Sequence, residues 1–343
     1  MEHFTVIASS TIMKTLTITL SALAFATTPL HALQDGSASQ SASQPSSGPL
    51  NVKLPEGVTA ADLGKRDVQM IAVQVLLDRS RHSPGVIDGY GGGNTDRAIR
   101  AYRKANGLSA GSAVDRALLT SLLDTQSGDI FRTYTITPED LNYNFVDVPS
   151  DFAGKAKLER VNYETPVEML AERFHMDQGF LRALNPGKDF SRADTTINIV
   201  SHGDEKVPGE IARIEVRKNE GAVVALDDAG KVLASYPATI GSAEFPSPTG
   251  SMTVEAVAPE ANYTFSPEGR EWGPDETLII PPGPNNPVGG VWIDLSKEGY
   301  GIHGSPDPHL IGKTSSHGCV RLTNWDAKAL AGAVSQGVEV VFV

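Results

Sequence analysis

This 343-residue chain has little cysteine, few basic residues relative to acidic ones, and no long apolar run, and each shortage excludes a class of structure or partner. It contains a single cysteine, Cys319, so an internal disulfide is excluded. Its net charge of −12 argues against nucleic acid or anionic lipid as the main partner, because both attract basic surfaces. The apolar run Thr15–Thr28 is short and rich in threonine, whereas a transmembrane helix needs about 20 mostly apolar residues. These shortages leave an acidic protein whose one thiol needs an explanation.

The first 32 residues have the pattern of a secretory signal peptide. A lysine precedes the apolar run 15–28, and Leu30-His31-Ala32 offers a cleavage site. Met13 is an alternative start, and an uncleaved membrane anchor is the alternative interpretation. Residues 33–58 are rich in Ser, Gln and Pro and predict a disordered linker. We therefore expect an exported protein, in which a lone thiol is either buried and inert or kept reactive.

The cysteine lies in a stretch rich in histidine and glycine, GIHGSPDPHLIGKTSSHGCVRL at 301–322. A thiol attacks as the thiolate, and a nearby imidazole is the usual means of forming one at neutral pH. Three histidines are available, His303, His309 and His317. Glycines beside the histidine and the cysteine would let a substrate approach the backbone closely. The stretch supports the hypothesis of a Cys–His acyl-transfer site.

Residues 210–343 predict a mostly-β domain with one packed helix. Short β-forming runs are separated by Gly and Pro, and Asp326–Val334 has the helical pattern, with Thr323 or Asn324 as its cap. The predicted strands are Ile211–Val216, Ala222–Leu226, Lys231–Tyr236, Ser251–Ala258, Leu278–Ile280, Gly290–Asp294, Gly301–His303 and Val338–Val343. Both histidine motifs then lie at strand ends and loops, where a rigid scaffold usually presents catalytic groups.

Four segments of this domain resemble the catalytic domain of L,D-transpeptidases of the YkuD type. They are FPSPTG (245–250), PPGPNNPVGGVWIDL (281–295), GIHGSP (301–306) and SSHGCVRL (315–322). The resemblance implies a β-sandwich with one packed helix and a cysteine acyltransferase that uses no cofactor and no metal.

The resemblance also implies roles for residues of the Cys–His stretch. Cys319 would be the nucleophile, and His303 would take its proton or pair with the thiolate. The carbonyl of Gly304 would orient His303, and amides around Gly318 and Cys319 would form the oxyanion hole. His317 would hydrogen-bond within the site or contact the substrate.

Two further residues are expected to bind substrate, Arg321 through its guanidinium and Ser316. The implied substrate is a peptidoglycan stem tetrapeptide, which loses its terminal D-alanine to form an acyl-enzyme. The acceptor stays open: a diaminopimelate amine would give a 3→3 cross-link, a lysine of an outer-membrane lipoprotein or barrel protein would become anchored, and water would give carboxypeptidase activity. Peptidoglycan peptides and glycan are the expected partners, in the periplasm or cell envelope.

Residues 59–125 resemble the three-helix peptidoglycan-binding domain, a small all-α unit. Gln74 lies in the first helical pattern and the Asp88-Gly89 turn follows it. Thr95 is the predicted cap of the second helix, which Asn106-Gly107 ends. Any other small three-helix domain is the alternative interpretation.

Residues 131–202 resemble a LysM module, a small α+β unit. The segment VNYETPVEMLAERFHMDQGFLRALNP (161–186) would supply a strand, two helices and an Asn-Pro turn. Thr165-Pro166 is a good helix start, and Thr196–Val200 would be the closing strand. The usual Gly-Asp-Thr start of this family is missing, so a structural adaptor is the alternative to a glycan-binding module.

Two other interpretations of the Cys–His stretch stay open. Zinc could bind His303, His309, His317 and Cys319, although HExxH, His-x-His and a convincing acidic ligand set are missing from the sequence. A non-catalytic wall-binding scaffold would keep the thiol for packing, although Cys319 does not lie in an apolar run. We expect His309 to be an exposed loop residue and Trp292 to pack in the β core.

Overall fold

The computed structural model describes residues 50–204, 206–241, 247–267, 275–316 and 318–343. The predicted signal peptide and the linker up to residue 49 lie outside the described residues, as do His317 and Trp272. Within the described ranges, no helix has both the length and the apolarity that crossing a bilayer requires.

Helix α1 is buried on all sides among the helices that follow the linker. The three helices are α1 (Val68–Arg79), α2 (Gly93–Ala105) and α3 (Arg116–Thr125). Every residue from Ile71 to Asp78 is buried. Val73 and Leu77 pack with α2 and α3, whereas Ile71 and Val75 belong to the core of the next segment. The sequence pattern predicts one apolar face, but a helix with apolar residues all round serves two cores at once.

Gln74 holds the turn that follows α1. Its side-chain oxygen accepts hydrogen bonds from the amides of Asp88 (3.1 Å) and Gly89 (2.8 Å). Its amide nitrogen donates to Asp88 Oδ1 (2.9 Å), the Tyr90 carbonyl (3.0 Å) and Thr95 Oγ1 (3.2 Å). The predicted cap at Thr95 is wrong: α2 begins at Gly93, and the Thr95 hydroxyl is used by Gln74 from inside the helix.

The next segment is a strand–helix–helix–strand unit with an insertion. Its elements are β1 (Phe131–Thr135), α4 (Pro138–Leu141), α5 (Phe152–Lys155), α6 (Pro166–Arg173), α7 (Gln178–Ala183) and β2 (Thr196–Val200). Strands β1 and β2 pair antiparallel in register. Thr165 caps α6 by accepting from the Glu168 amide, and Pro166 is its first residue, as the sequence predicts.

The LysM resemblance places a strand at the start of 161–186, and that prediction is wrong. The first strand is β1, where Tyr134-Thr135-Ile136 has a strand-like alternation, and residues 136–164 are inserted between it and α6. The backbone of this stretch bonds to a distant loop instead. The Val161 amide donates to the Pro282 carbonyl (3.0 Å), and the Val161 carbonyl accepts from the Asn285 amide (3.0 Å). The extended pattern is therefore real, but its partner is the C-terminal segment.

The C-terminal strands form one hydrogen-bonded sheet with a small separate ribbon. The strands are β3 (Arg213–Arg217), β4 (Ala222–Leu226), β5 (Val232–Pro237), β6 (Gly250–Ala258), β7 (Tyr263–Phe265), β8 (Leu278–Ile280), β9 (Trp292–Leu295), β10 (Gly301–His303), β11 (Val320–Arg321) and β12 (Glu339–Phe342). The eight-stranded order is β11-β10-β9-β6-β12-β3-β4-β5, and β7 pairs with β8. The predicted β-sandwich thus takes the form of two half-sheets that share β6, where the register shifts between Val254 and Ala256.

The predicted helix of this domain is α8 (Asn324–Ala331), which begins two residues earlier than the pattern indicates. Thr323 is its cap, because its hydroxyl accepts from the Asp326 amide (3.2 Å). Leu330 of α8 and residues of both half-sheets, such as Ile214 and Ile302, belong to one apolar core. A helix and a folded-over sheet therefore enclose a single interior.

The helical segment covers the free edge of this sheet. Strand β5 lies at the edge, and its Ser235 exchanges backbone hydrogen bonds with Arg81 and Ser83 (2.9 Å each). Ser83 Oγ also donates to Asp326 Oδ2 on α8 (3.0 Å). An unpaired edge strand can pair with another chain, and the contact with Arg81 and Ser83 covers part of the β5 edge. The three segments therefore pack as one unit.

Replacing Gln74 by alanine should destabilise the chain by about 2–3 kcal/mol, because the buried donors and acceptors of the turn would lose their partner. Gln69→Ala is the matched control, since within the described residues that side chain bonds the Leu50 backbone at 2.6 and 2.7 Å. Its loss should cost about 1 kcal/mol or less. Urea unfolding measures both, and equal losses would contradict this role of Gln74.

Candidate active site

The sequence-predicted residues lie on one face of three neighbouring strands. Strand β10 pairs antiparallel with β9 and parallel with β11, which places Trp292, His303 and Arg321 in one row across the sheet. Asp294 lies opposite Gly301, and Cys319 directly precedes β11 on the other side of Gly301. Side chains alternate between the two faces of a strand, so the intervening row, Ile293, Ile302 and Val320, enters the core.

His303 is fixed by the backbone next to it. The ring is 4% exposed, and its Nδ1 lies 2.7 Å from the Gly304 carbonyl oxygen. A carbonyl only accepts, so Nδ1 carries the proton and Nε2 is left as the basic nitrogen. The pKa of His303 is lowered to about 4, chiefly by burial; the Gly304 hydrogen bond opposes this shift, and the positive charge of Arg321 adds to it. The imidazole is therefore neutral at pH 7 and can accept a proton.

Trp292 stacks on His303 instead of packing in the β core as predicted. Its ring lies 5.4 Å from the His303 ring at an interplanar angle of 20°. A Cβ at Gly301 would come within 2.4 Å of Trp292 Cζ2, so the indole also occupies the space that a side chain there would need. Gly301, two residues before His303, is thus required by packing, which the sequence pattern does not reveal.

The loop that presents Cys319 is tied by hydroxyl groups. Ser316 Oγ donates to the Cys319 carbonyl (2.5 Å) and accepts from the Gly318 amide (3.2 Å). Ser247 Oγ donates to the Gly318 carbonyl (2.8 Å). Gly318 has φ +117°, and a Cβ there would come within 3.1 Å of the Tyr300 ring. Glycine is therefore needed at this position for both backbone and space.

Cys319 itself is half-buried, and its Sγ lies 3.5 Å from the Gly299 carbonyl oxygen. Arg321 is half-buried on the same face and close enough for its charge to act on His303. Ser316 is bound up within the loop, with its hydroxyl directed at the backbone of Cys319 and Gly318. The structure thus brings Cys319, His303 and Arg321 to one face and gives Ser316 a loop-fixing contact.

The other histidines of the stretch do not join this group. His309 is exposed in a short 3₁₀ turn, Pro308–Leu310, as the sequence predicts. His317 lies outside the described residues, so its predicted role in the site stays a prediction. Among the tryptophans, Trp325 is buried and stacks on His175 at 5.1 Å.

Potential metal ligands do come together elsewhere in the described ranges. Ligating atoms of Asp78, His175 and His202 all lie within 4.8 Å of one another. His175 Nδ1 is 3.2 Å from both carboxylate oxygens of Asp78, and the Arg132 guanidinium is 3.5 Å from His202 Nε2. A guanidinium at that nitrogen opposes a bound cation. We interpret the group as a hydrogen-bonded network that joins α1 to the β1–β2 unit.

A model of the YkuD L,D-transpeptidase catalytic domain matches residues 211–343. The putative L,D-transpeptidase YkuD of Bacillus licheniformis is 28% identical over 174 residues, covering 51% of this chain and 91% of that protein. The putative L,D-transpeptidase YqjB of Bacillus subtilis is 30% identical over 145 residues, covering 40% and 74%. The probable L,D-transpeptidase YbiS of Escherichia coli K12 is 28% identical over 195 residues, covering 52% and 60%.

Solved structures show a partial likeness. Crystal structures of L,D-transpeptidase 3 from Mycobacterium tuberculosis overlap 44% of this chain and 75% of that chain, at 17% identity and a TM-score of 0.33. An L,D-transpeptidase from Mycobacterium smegmatis overlaps 46% and 80%, at 18% identity and the same TM-score. A score this low describes a partial overlap of the folds and no more.

The His303 imidazole should remain neutral from about pH 8 to about pH 5, because burial holds its pKa near 4, below the ordinary 6.5. Since the folded-state pKa is the lower one, the unfolded chain binds the proton first as the pH falls. The stability contributed by neutral His303 is therefore complete above about pH 6.5 and is lost as the pH falls from 6.5 towards 4.

An NMR titration of the histidine ring protons, with His303→Gln to assign the signal, measures this pKa. A midpoint above about 6 would contradict the buried neutral base. Arg321→Gln should raise the midpoint, because it removes a positive charge, and Arg321→Lys should change it less.

Proposed function

This chain belongs to the L,D-transpeptidase family, and we propose that Cys319 is its nucleophile and His303 its general base. The observation that supports this most is the geometry of His303. Its Nδ1 is bound by the Gly304 carbonyl, and its strand neighbours the one that follows Cys319. The reactive nitrogen of a buried neutral imidazole is thereby presented on the face that carries the only thiol of the chain.

In the proposed first step, the thiol proton passes to His303 Nε2 while the sulfur attacks the carbonyl of the third residue of a stem tetrapeptide. A new S–C bond forms, and the carbonyl oxygen becomes an oxyanion. When the tetrahedral intermediate collapses, the C–N bond to the terminal D-alanine breaks. His303 returns the proton to the leaving amine, and a thioester remains on Cys319.

The oxyanion needs hydrogen-bond donors that the loop can supply. We assign this role to backbone amides at Gly318 and Cys319, each worth about 10²–10³ in rate in comparable enzymes. The Gly318 amide already donates to Ser316 Oγ at 3.2 Å. It must therefore exchange that partner for the oxyanion, a motion for which φ +117° glycine backbone is suited.

In the second step an amine attacks the thioester, and His303 again accepts a proton before returning it to the sulfur. A diaminopimelate amine of another stem would yield a 3→3 cross-link, and this is the acceptor we propose. A lysine of an outer-membrane protein or a water molecule would use the same thioester. Arg321 lies beside His303 and is suited to hold a substrate carboxylate, since guanidinium binds carboxylates bidentately.

The upstream segments fit a wall-attached enzyme. The β1–α6–α7–β2 order with an antiparallel strand pair agrees with a LysM-like unit, and the three helices with the Gln74-bound turn agree with a peptidoglycan-binding domain. We propose that these segments hold the enzyme near its substrate in the periplasm after export. The Gln74 contacts give that residue a structural role, so glycan contacts must be sought on exposed residues.

Cys319→Ala should abolish D-alanine release from purified disaccharide-tetrapeptide, by about 10³-fold or more, because no other group can form the thioester. Mass spectrometry of the products measures the release. His309→Ala, an exposed neighbour in sequence, is the matched control and should retain activity. Release that survives Cys319→Ala would refute the nucleophile, and loss of activity on adding a chelator would favour the zinc interpretation.

A carbapenem should acylate the wild-type protein once and Cys319→Ala not at all, because its strained carbonyl would meet the same nucleophile. Intact-mass spectrometry detects the added mass. An active wild-type enzyme that forms no adduct would count against the proposed site.

A further inference from the structure

Helix α6, in the segment before the catalytic domain, carries a glutamate that reaches the catalytic domain. Glu172 is half-buried, and its Oε1 accepts hydrogen bonds from the Tyr163 hydroxyl (2.7 Å) and from Asn324 Nδ2 (2.9 Å). Tyr163 belongs to the same segment, whereas Asn324 is the first residue of α8 and is 1% exposed. The contact therefore crosses from one segment into the interior of the other.

The Asn324 side chain also hydrogen-bonds the loop that follows β10. Its Nδ2 also donates to the Pro284 carbonyl (3.1 Å), and its Oδ1 accepts from the Ser305 amide (2.9 Å). The side-chain amide is thus held at both ends. The backbone packs closely against this side chain: a Cβ at Gly304 would come within 2.3 Å of Asn324 Oδ1, and one at Gly289 within 1.8 Å.

The Ser305 amide and the Gly304 carbonyl belong to the same peptide unit. That unit is planar, so fixing its N–H also fixes the direction of its C=O. The carbonyl is the group that accepts from His303 Nδ1 at 2.7 Å. One rigid plane therefore connects Asn324 to the imidazole of the proposed base.

We propose that Glu172 and Asn324 are positioning residues for His303, which makes the LysM-like segment a structural part of the active site. Without the Glu172 acceptor, Asn324 Nδ2 loses the shorter of its two bonds (2.9 Å) and keeps the one to the Pro284 carbonyl (3.1 Å), so the end of the amide that faces Ser305 is held less firmly. The Gly304–Ser305 peptide is then less well fixed, and the His303 ring that it orients is displaced relative to the thiol. The inference rests on the proposed roles of His303 and Cys319.

The bond needs an acceptor at Oε1, not a full charge. Burial raises the pKa of Glu172 to about 7, while hydrogen bonds from Tyr163 and Asn324 and the charge of Lys328 oppose the rise. Oε1 can accept both donors whether or not the other oxygen carries a proton. Glutamine offers the same acceptor, so Glu172→Gln is the conservative variant.

Glu168 provides a matched control on the same helix. It lies one turn before Glu172, and its Oε1 accepts from Asn285 Nδ2 (2.7 Å) across the same interface. This bond leads to the Asn285 side chain in the loop at 281–286, which meets Asn324 through the Pro284 carbonyl. Glu168→Ala therefore removes a comparable interface contact while leaving each hydrogen bond of the Asn324 side chain in place.

The experiment measures the rate of carbapenem acylation of Cys319 by intact mass, and kcat and KM for D-alanine release, in the full chain. Glu172→Ala should lower acylation and kcat about tenfold or more with little change in KM, since small misplacements of catalytic groups have effects of this size. Glu172→Gln should stay within about twofold of wild type, and so should Glu168→Ala. Circular dichroism checks folding, and Glu172→Met, which keeps the side-chain length, replaces the alanine variant if that one does not fold.

Wild-type rates in Glu172→Ala, an equal loss in Glu168→Ala, or failure of glutamine to restore the rate would each overturn the positioning role. The NMR signal of the His303 Nδ1 proton gives a readout independent of catalysis. It should shift or broaden in Glu172→Ala and remain in Glu172→Gln and Glu168→Ala. If the wild type is never acylated, the proposed function fails, whereas this NMR comparison still tests the positioning path.

Discussion

The hydrogen bond between His303 Nδ1 and the Gly304 carbonyl determines what kind of base this site contains. A carboxylate in that place would favour the imidazolium, because opposite charges attract and the pKa would rise. A neutral carbonyl fixes the tautomer with a weaker effect on charge, and burial then keeps the ring neutral. In the proposed mechanism, such a neutral imidazole would accept the thiol proton at the moment of attack and would not store a thiolate–imidazolium pair. Trp292, stacked on the ring, belongs to the same arrangement because it removes water from one side of the imidazole.

Local sequence patterns predict the strands of the site and the face of each strand on which a side chain lies. The alternation in WID, GIH and CVR places polar and apolar side chains on opposite faces, and the strands at 222–226, 278–280 and 301–303 have the predicted bounds. The resemblance carried by GIHGSP and SSHGCVRL adds the pairing of His303 with Gly304. What the sequence cannot provide is the partner of an extended segment. Residues 161–163 have a strand-like pattern, but they bond to the loop at 282–285, because backbone groups take whichever partner the tertiary fold offers.

Because tertiary partners are not encoded in local patterns, the roles of Glu172 and Asn324 could not be predicted from the sequence. Glu172 lies on an amphipathic helix, where a glutamate is ordinarily a solvated residue, and Asn324 is expected there only as a helix cap. The two residues are about 150 positions apart in the sequence, and their side chains are 2.9 Å apart in the structure. A periodic sequence pattern does not predict such a long-range pair. Gln74 is a similar case: its position in a helix is evident, but its four hydrogen bonds to the following turn and its one to Thr95 of α2 are not.

The domain boundaries predicted from composition are therefore crossed by many tertiary contacts. Helix α1 serves two cores, β5 is covered by the residues after α1, and the loop at 281–286 is bound by the segment before it. A catalytic domain cut at residue 211 would expose an edge strand and would leave Asn324 without its Glu172 acceptor. If the upstream segments bind the wall as proposed, this coupling has a mechanical consequence. A force on them would reach the peptide unit that orients His303 through the contact of Glu172 with Asn324.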